Sequence, residues 1–215
     1  MSKVTIFKDI KDTEQPFYRE AVVILSRIKE GSSKDLVKKI RQEKDKSARN
    51  LLKQSLPAIC FSGMFTKRTD SAISEHSGLI CLDFDGYKTN KDMLQEKERL
   101  SKDKHVYSVF ISPSGNGLKA VVKIPTEVDD HKKYFNSLEV HFNSPNFDKT
   151  SKNISRVCYE SYDPLIYINE LSSVWEKIED VEYQEVVKYK DRPTIPITNE
   201  NKIVEILLKW WDKKY

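Results

Sequence analysis

The sequence predicts an α+β fold, and three observations carry that expectation. The run Leu79-Ile80-Cys81-Leu82-Asp83-Phe84-Asp85-Gly86-Tyr87 starts uninterruptedly apolar, as a strand buried on both faces does. Residues 106–112 and 118–124 alternate like strands. They flank Pro113-Ser114-Gly115-Asn116-Gly117, a short loop holding Asn-Gly, so the pair reads as a β-hairpin. Residues 17–30 carry Ala21, Val22, Leu25 and Ile28 at helical spacing, with Gly31 as the stop.

The remaining elements follow in order. Residues 4–7 suit a short strand. Ser32 or Ser33 can cap a second helix running to about residue 55, where Pro57 ends it. Its apolar positions are Leu36, Val37, Ile40, Leu51 and Leu52. Its span 34–53 carries eight Lys/Arg against three acids. Such a face either contacts phosphates or is merely solvated, and from this feature alone the solvated surface is favoured. Residues 58–62 read as a strand, followed by a polar loop with Lys67, Arg68 and Asp70. Residues 90–104 suit an exposed helix and 130–142 another. The stretch 143–153 is irregular and contains Asp148. Residues 155–159 and 165–168 look extended, and 171–178 suits a short helix. Arg192-Pro193-Thr194-Ile195-Pro196 reads as part of a linker (181–198), and residues 199–215 as an apolar tail helix, the opening of a further domain or a segment that docks back.

Composition narrows the class. The chain has 215 residues, 38% hydrophobic and 33% charged, so a core is feasible beneath a charged surface. A net charge of +4 permits nucleic-acid binding without demanding it. Cys60, Cys81 and Cys158 lie far apart in apolar contexts, with no zinc-ligand spacing, which suits free thiols in a reducing cytoplasm. No apolar stretch is long enough to cross a bilayer, and no membrane partner is expected.

Chemistry gathers at three places. Side chains alternate along a strand, so Asp83 and Asp85 share one face while Phe84 points away. Two desolvated carboxylates on one face repel, and a hard divalent cation relieves both penalties. A turn cap is the plainer alternative for Asp85-Gly86. The loop from Ser112 to Gly117 is either a simple turn or a phosphate cradle, built from glycine-rich backbone N–H groups and two serine hydroxyls, with Lys119 one strand residue beyond. Asp148, followed by Lys149, Lys152 and Arg156, is either a mixed surface loop or a third carboxylate for the same site. Three carboxylates suffice for two divalent ions about 3.5–4 Å apart, the clamp used in phosphoryl displacement.

In this order, an acidic strand, a Ser/Gly hairpin and a later Asp with a downstream Arg resemble the archaeo-eukaryotic primase (primase-polymerase) superfamily. The segments LPAICFSGMF, HSGLICLDFDGY, FISPSGNGLKAVVKI and SRVCYESYDP look most like VirE N-terminal domains of phages and mobile elements. The resemblance implies an archaeo-eukaryotic primase catalytic core over residues 1–180. In it, an N-terminal α/β unit (1–75) packs on an RRM-like antiparallel sheet (76–180). It implies Asp83, Asp85 and Asp148 as catalytic metal ligands for two Mg²⁺ or Mn²⁺ ions. Ser112, Ser114, Gly115, Gly117 and Lys119 would contact the nucleotide, and Arg156 its phosphates. Lys119 stands where the family often has His. The implied activity is template-directed nucleotidyl transfer in DNA replication. The implied partners are a single-stranded DNA template, nucleoside triphosphates and a helicase domain or protein. Lys67, Arg68 and the 34–53 helix are candidate template contacts, and Tyr87, Phe65 and Tyr159 candidate stacking aromatics. Two rivals stand beside this reading. One is a non-catalytic DNA-binding initiation module of the same fold. The other is a haloacid dehalogenase-type phosphatase, whose DxDG motif Asp83-Phe84-Asp85-Gly86 resembles.

Overall fold

A computed structural model describes residues 2–178 and, beyond them, Leu208 alone. The predicted linker and the tail helix apart from Leu208 lie outside the described residues. Within residues 2–178 ten strands and five α-helices follow in chain order: β1 (Lys3–Phe7), β2 (Phe17–Glu20), α1 (Ala21–Glu30), α2 (Lys34–Gln42), α3 (Lys46–Lys53), β3 (Ala58–Cys60), β4 (Gly63–Phe65), β5 (Ile73–His76), β6 (Leu79–Phe84), α4 (Asn90–Ser101), β7 (Val106–Ile111), β8 (Leu118–Lys123), α5 (His131–Phe142), β9 (Cys158–Tyr159) and β10 (Tyr167–Ile168). The fold is α+β, with antiparallel sheets.

One sheet has the order β10-β7-β8-β6, the other β2-β1-β3-β9, and β4 pairs with β5. In the first, β6 lies antiparallel to β8 with Asp83 directly opposite Lys119. On its other side Phe84 bridges Phe147, also antiparallel. Strict alternation sorts the side chains of β6 and β8. Ile80, Leu82, Phe84, Leu118, Ala120 and Val122 face α4 and α5, where Met93, Leu100, Phe135, Leu138 and Phe142 close the core. Leu79, Cys81 and Val121 face the other way, onto Ala21, Ile24, Leu25 and Ile28 of α1 together with Val4 and Ile59 of the second sheet. So β6 is covered on both sides, as its apolar run predicts. Helix α1 shares this core with residues of both sheets. The second sheet's far face, with Phe7, Ala58 and Cys60, packs on Phe65 of the β4–β5 hairpin.

Several expected elements differ. The predicted 17–30 helix begins only at Ala21. Residues Phe17–Glu20 pair with β1 instead, because the helical apolar spacing starts at Ala21 and nothing before it has a core to face. Gly31 does end the helix, at φ 91°, a left-handed value suited to glycine. The single helix expected up to residue 55 is two. Asp45 adopts an extended conformation, accepts a hydrogen bond from the Ala48 N–H (2.7 Å) and so caps a new helix, α3. Ser33 precedes α2 without capping it; its hydroxyl donates to Glu160. Residues 171–178 form no helix. The chain there follows the end of β8, with the Trp175 N–H donating to the Lys123 carbonyl (2.7 Å) and the Trp175 indole N–H to Ser137 (3.2 Å). The 90–104 helix ends at Ser101 and is better anchored than expected, through Met93, Lys97 and Leu100. The hairpin, the 130–142 helix and the 4–7 strand stand within a residue of their expected bounds. Among the described residues no helix is long and apolar enough to cross a membrane, and all three cysteines are free thiols.

Two buried histidines join the halves. His76, at the end of β5, lies 3.1 Å from His131, at the start of α5, nitrogen to nitrogen. His76 Nδ1 accepts from the Gly78 N–H, which fixes the tautomer: the His76 Nε2–H donates to His131 Nδ1. Burial is the first cause that favours their neutral forms, pushing His76 down to about 4 and His131 to about 3. With folded values below the unfolded value, the pair's contribution is complete above pH 6.5 and is lost as pH falls below it. The slope is about 1.4 kcal/mol per pH unit for each ring. Urea melts at pH 7 and pH 5 should therefore show a steeper acid loss in the native chain than in His131→Leu. Equal slopes would count against this account.

Candidate active site

The three acidic positions converge. Asp148 follows the Phe84–Phe147 bridge, and its backbone N–H donates to the Asp83 carbonyl at 2.8 Å. The Asp85 N–H donates to the Asn146 carbonyl (2.8 Å), and Asn146 Nδ2 returns a bond to the Asp85 carbonyl (2.7 Å). Backbone pairing thus lays the 146–148 segment along the end of β6, where Asp83 and Asp148 stand side by side. Ser151 Oγ sits between them, 2.6 Å from Asp148 Oδ2 and 3.4 Å from Asp83 Oδ2. Arg156 Nη2 spans the same two oxygens at 3.4 and 3.5 Å.

The environments of the three carboxylates diverge. Asp83 is 4% exposed and meets the Lys119 ammonium at 2.5 Å, directly across the strand pair. Burial works against the Lys119 charge, but the Asp83 carboxylate overrides it and the lysine is held above its ordinary pKa. Burial also opposes ionisation of Asp148. The Ser151 and Thr150 hydroxyls, the Thr150 N–H and the Arg156 charge outweigh it and hold the carboxyl below its usual range. Asp85 is the reverse. Desolvation raises it, Asp83 and Asp148 add to the rise, and Lys119 and Lys53 only partly offset it.

The Ser112 to Gly117 loop closes against this cluster. The Ser112 N–H donates to the Gly117 carbonyl (2.8 Å), and the Gly115 N–H to the Ser112 carbonyl (2.9 Å). Gly115 has φ 79°, and Arg41 packs on it so closely that a Cβ there would lie 3.3 Å from the arginine stem. Arg41 Nη2 donates to the carbonyls of Ser112 (3.2 Å) and Tyr162 (2.8 Å), tying the loop to α2. A Cβ on Gly117 would fall 2.1 Å from Asp85 Oδ1 and 2.9 Å from the Phe84 carbonyl. Only glycine allows that approach. Ser112 Oγ and Arg156 Nε are buried without a hydrogen-bond partner among the described residues, an unusual cost for polar atoms.

A pocket of about 380 Å³ opens here, within the range of ligand sites. Asp85, Gly86, Ser112, Ser114, Asn116 and Lys119 line one part of it, and Lys46, Arg49, Asn50 and Lys53 of α3 another. Of the nine predicted site residues, Asp85, Ser112, Ser114 and Lys119 line the pocket; Asp83, Asp148, Arg156, Gly115 and Gly117 do not line it and join the cluster through the contacts above. Sequence reasoning favoured solvated surface for the 34–53 span from its charge alone and offered it as a candidate template contact, without separating α3 from the rest. Its signal was the spacing Lys46, Arg49, Lys53, one face of a helix begun by Asp45. Of the candidate stacking aromatics, Tyr159 lines the pocket, whereas Phe65 is buried in the core and Tyr87 packs on the cluster beneath β6. Lys67 and Arg68 are engaged elsewhere: Lys67 with Glu14 (3.8 Å), Arg68 with the Ile10 carbonyl (2.5 Å).

Three carboxylates are the hard-oxygen donors a divalent cation takes. Their present partners occupy those donors, however: Asp83 is held by Lys119, Arg156 and Ser151, and Asp148 by Thr150, Ser151 and Arg156. Among the described residues no group of three His, Cys, Asp or Glu side chains forms a ready metal site. The donor types fit a cation, and Lys119 supplies the positive charge in its place.

A family model, BT4734-like, N-terminal domain, matches residues 51–168. The chain belongs to this family. No curated protein and no solved structure matches it. The BT4734-like match contains all nine predicted site residues and Lys53, and begins beyond Arg41, Lys46 and Arg49.

Removing Asp83 leaves a buried ammonium unpaired, a loss of about 3–5 kcal/mol. Asp83→Ala should therefore lower the thermal midpoint sharply. Asp85→Ala, whose carboxylate has no hydrogen-bond partner among the described residues and sits at the exposed mouth, should leave it within a few degrees. Calorimetry of the two variants checks this, and equal effects would contradict the ion-pair assignment.

Proposed function

We propose that this chain is a primase-polymerase-type nucleotidyltransferase of the archaeo-eukaryotic primase kind, acting in replication of a phage or mobile element. The observation that carries the reading is the convergence of Asp148 on Asp83 and Asp85 beside the Ser/Gly hairpin, from distant parts of the chain. The β6-α4-β7-β8-α5 order, with 146–148 beside β6, supports an RRM-like sheet of the ferredoxin type.

In the proposed reaction a 3′-hydroxyl attacks the α-phosphorus of a bound nucleotide. The new O–P bond forms as the bond to the β-phosphate oxygen breaks, and pyrophosphate leaves. The hairpin amides and the Ser112 and Ser114 hydroxyls bind phosphate oxygens. Lys119 and Arg156 neutralise them, Arg156 through a two-pronged guanidinium. Asp85, which lines the pocket, is placed to accept a hydrogen bond from the attacking hydroxyl. Mg²⁺ or Mn²⁺ held by Asp83, Asp85 and Asp148 would supply charge neutralisation at the attacking and leaving oxygens. A template strand would approach over the basic surface.

One observation favours the non-catalytic DNA-binding module: Lys119 neutralises Asp83 outright, as in a retired metal site. The phosphatase reading loses support, because β6 is antiparallel to both neighbours and Asp129-Asp130 sits in a turn before α5, away from a strand end. A primer-synthesis and extension assay with labelled nucleotides and Mg²⁺ or Mn²⁺ tests the proposal. Incorporation is expected, falling at least about 10²-fold in Asp85→Asn. Strand binding with no incorporation would support the binding module and overturn catalysis.

A further inference from the structure

We infer that the cation row of α3, Lys46, Arg49 and Lys53, is the polyphosphate-binding wall of the pocket, so that the ligand is a nucleoside 5′-triphosphate held between α3 and the hairpin loop. The inference rests on the nucleotidyltransferase reading for the reaction, but the wall stands on its own geometry.

The three residues occupy one helix face at i, i+3 and i+7, and all line the pocket with Asn50 between them. Among the described residues none of the three has a carboxylate within ion-pair distance. That separates them from Arg27, Lys97 and Lys119, each of which is paired to an acid. Three unpaired cations share the pocket lining with the lone carboxylate of Asp85, the fourth lining cation, Lys119, being already paired to Asp83. Crowding of like charge is unfavourable without an anion between them. Burial first, and then Arg49, Lys119 and Lys46, lower the Lys53 pKa against the pull of Asp85.

A second observation points to the same ligand. Ser112 is 6% exposed, lines the pocket, and has a hydroxyl with no hydrogen-bond partner among the described residues. A phosphate oxygen would satisfy it. The row is not there for the core, since α3 has no fully buried residue. The pocket's volume and concavity favour a compact polyanion. A nucleic-acid backbone would need cations that run on beyond a single pocket. Polyphosphate is shared chemistry for nucleotide and pyrophosphate, whereas a strand presents single phosphates spaced apart.

The test uses the full chain and a variant carrying Lys46→Gln, Arg49→Gln and Lys53→Gln. Circular dichroism melting serves as the folding control. Calorimetric titrations are made in chelator with inorganic tripolyphosphate, with dATP and with a single-stranded oligonucleotide. The native chain should bind tripolyphosphate and dATP. The variant should lose more than about tenfold in affinity for both, each lost charge-assisted contact being worth roughly that much, with oligonucleotide binding little changed. The inference is overturned if the native chain binds no tripolyphosphate. It is also overturned if a folded variant binds it as well as the native chain, or if oligonucleotide affinity falls as far as tripolyphosphate affinity does. Primer extension separates this from the broader reading. A native chain that binds tripolyphosphate through α3 but incorporates nothing keeps the wall and loses the polymerase. A variant that extends primers with an unchanged nucleotide KM keeps the polymerase and loses the wall.

Discussion

The Asp83–Lys119 pair is the constraint around which the site is arranged. Alternation along β6 sends the even-numbered side chains into the core under α4 and α5, which leaves Asp83 on the face toward α1 and the second sheet. A carboxylate there is far from bulk water and needs a counter-charge. The register of β6 and β8 supplies one, since Lys119 is its direct cross-strand partner. Arg156 and Ser151 complete its neighbours, and the backbone bond from Asp148 brings a second acid to the same spot. Acid, base and hairpin are thus parts of one electrostatic balance, fixed by strand pairing.

The pocket is composite. Its floor and the Asp85 wall come from the β6–β8 pair and its hairpin, and its basic wall comes from the short helix α3. Arg41 of α2 tethers the hairpin, with its stem against Gly115 and its guanidinium on the carbonyls of Ser112 and Tyr162. Glu160 strengthens the joint: its fully buried carboxylate accepts from Arg27 at 2.6 and 3.1 Å and from the Ser33 hydroxyl. A buried acid so paired holds α1, the start of α2 and the segment after β9 in one relation.

What was legible in the sequence was local. The apolar run of β6, the Asn-Gly hairpin and the spacing of α1 and α5 each follow from neighbours a few residues apart, and each stands where expected. Asp83, Asp85, Ser112, Gly117 and Lys119 could be singled out because strand alternation and turn chemistry are short-range rules. The misses arise where distant contacts decide. Residues 17–20 are a strand only because β1 offers an edge. Residues 171–178 stay extended because Trp175 has a socket on α5. Asp45 as a cap was readable in principle, but eight cations counted together hid the face formed by three of them. Nothing local says that α3 shares a pocket with the hairpin: Leu52 of α3 packs on the α2 cluster of Val37, Ile40 and Leu56, and it is α2 that holds the loop, through Arg41.

Strand β3 illustrates what the interleaving entails. It lies between β1, near the chain's start, and β9, which arrives from beyond Asp148. A fragment trimmed to the matched family span would keep every acid and every loop glycine. It would also strip one edge of β3, uncover the apolar side of the motif-bearing sheet and release the hairpin from its arginine tether. The strands and side chains that the matched span packs on thus include ones that lie outside it, β1, α1 and Arg41 among them.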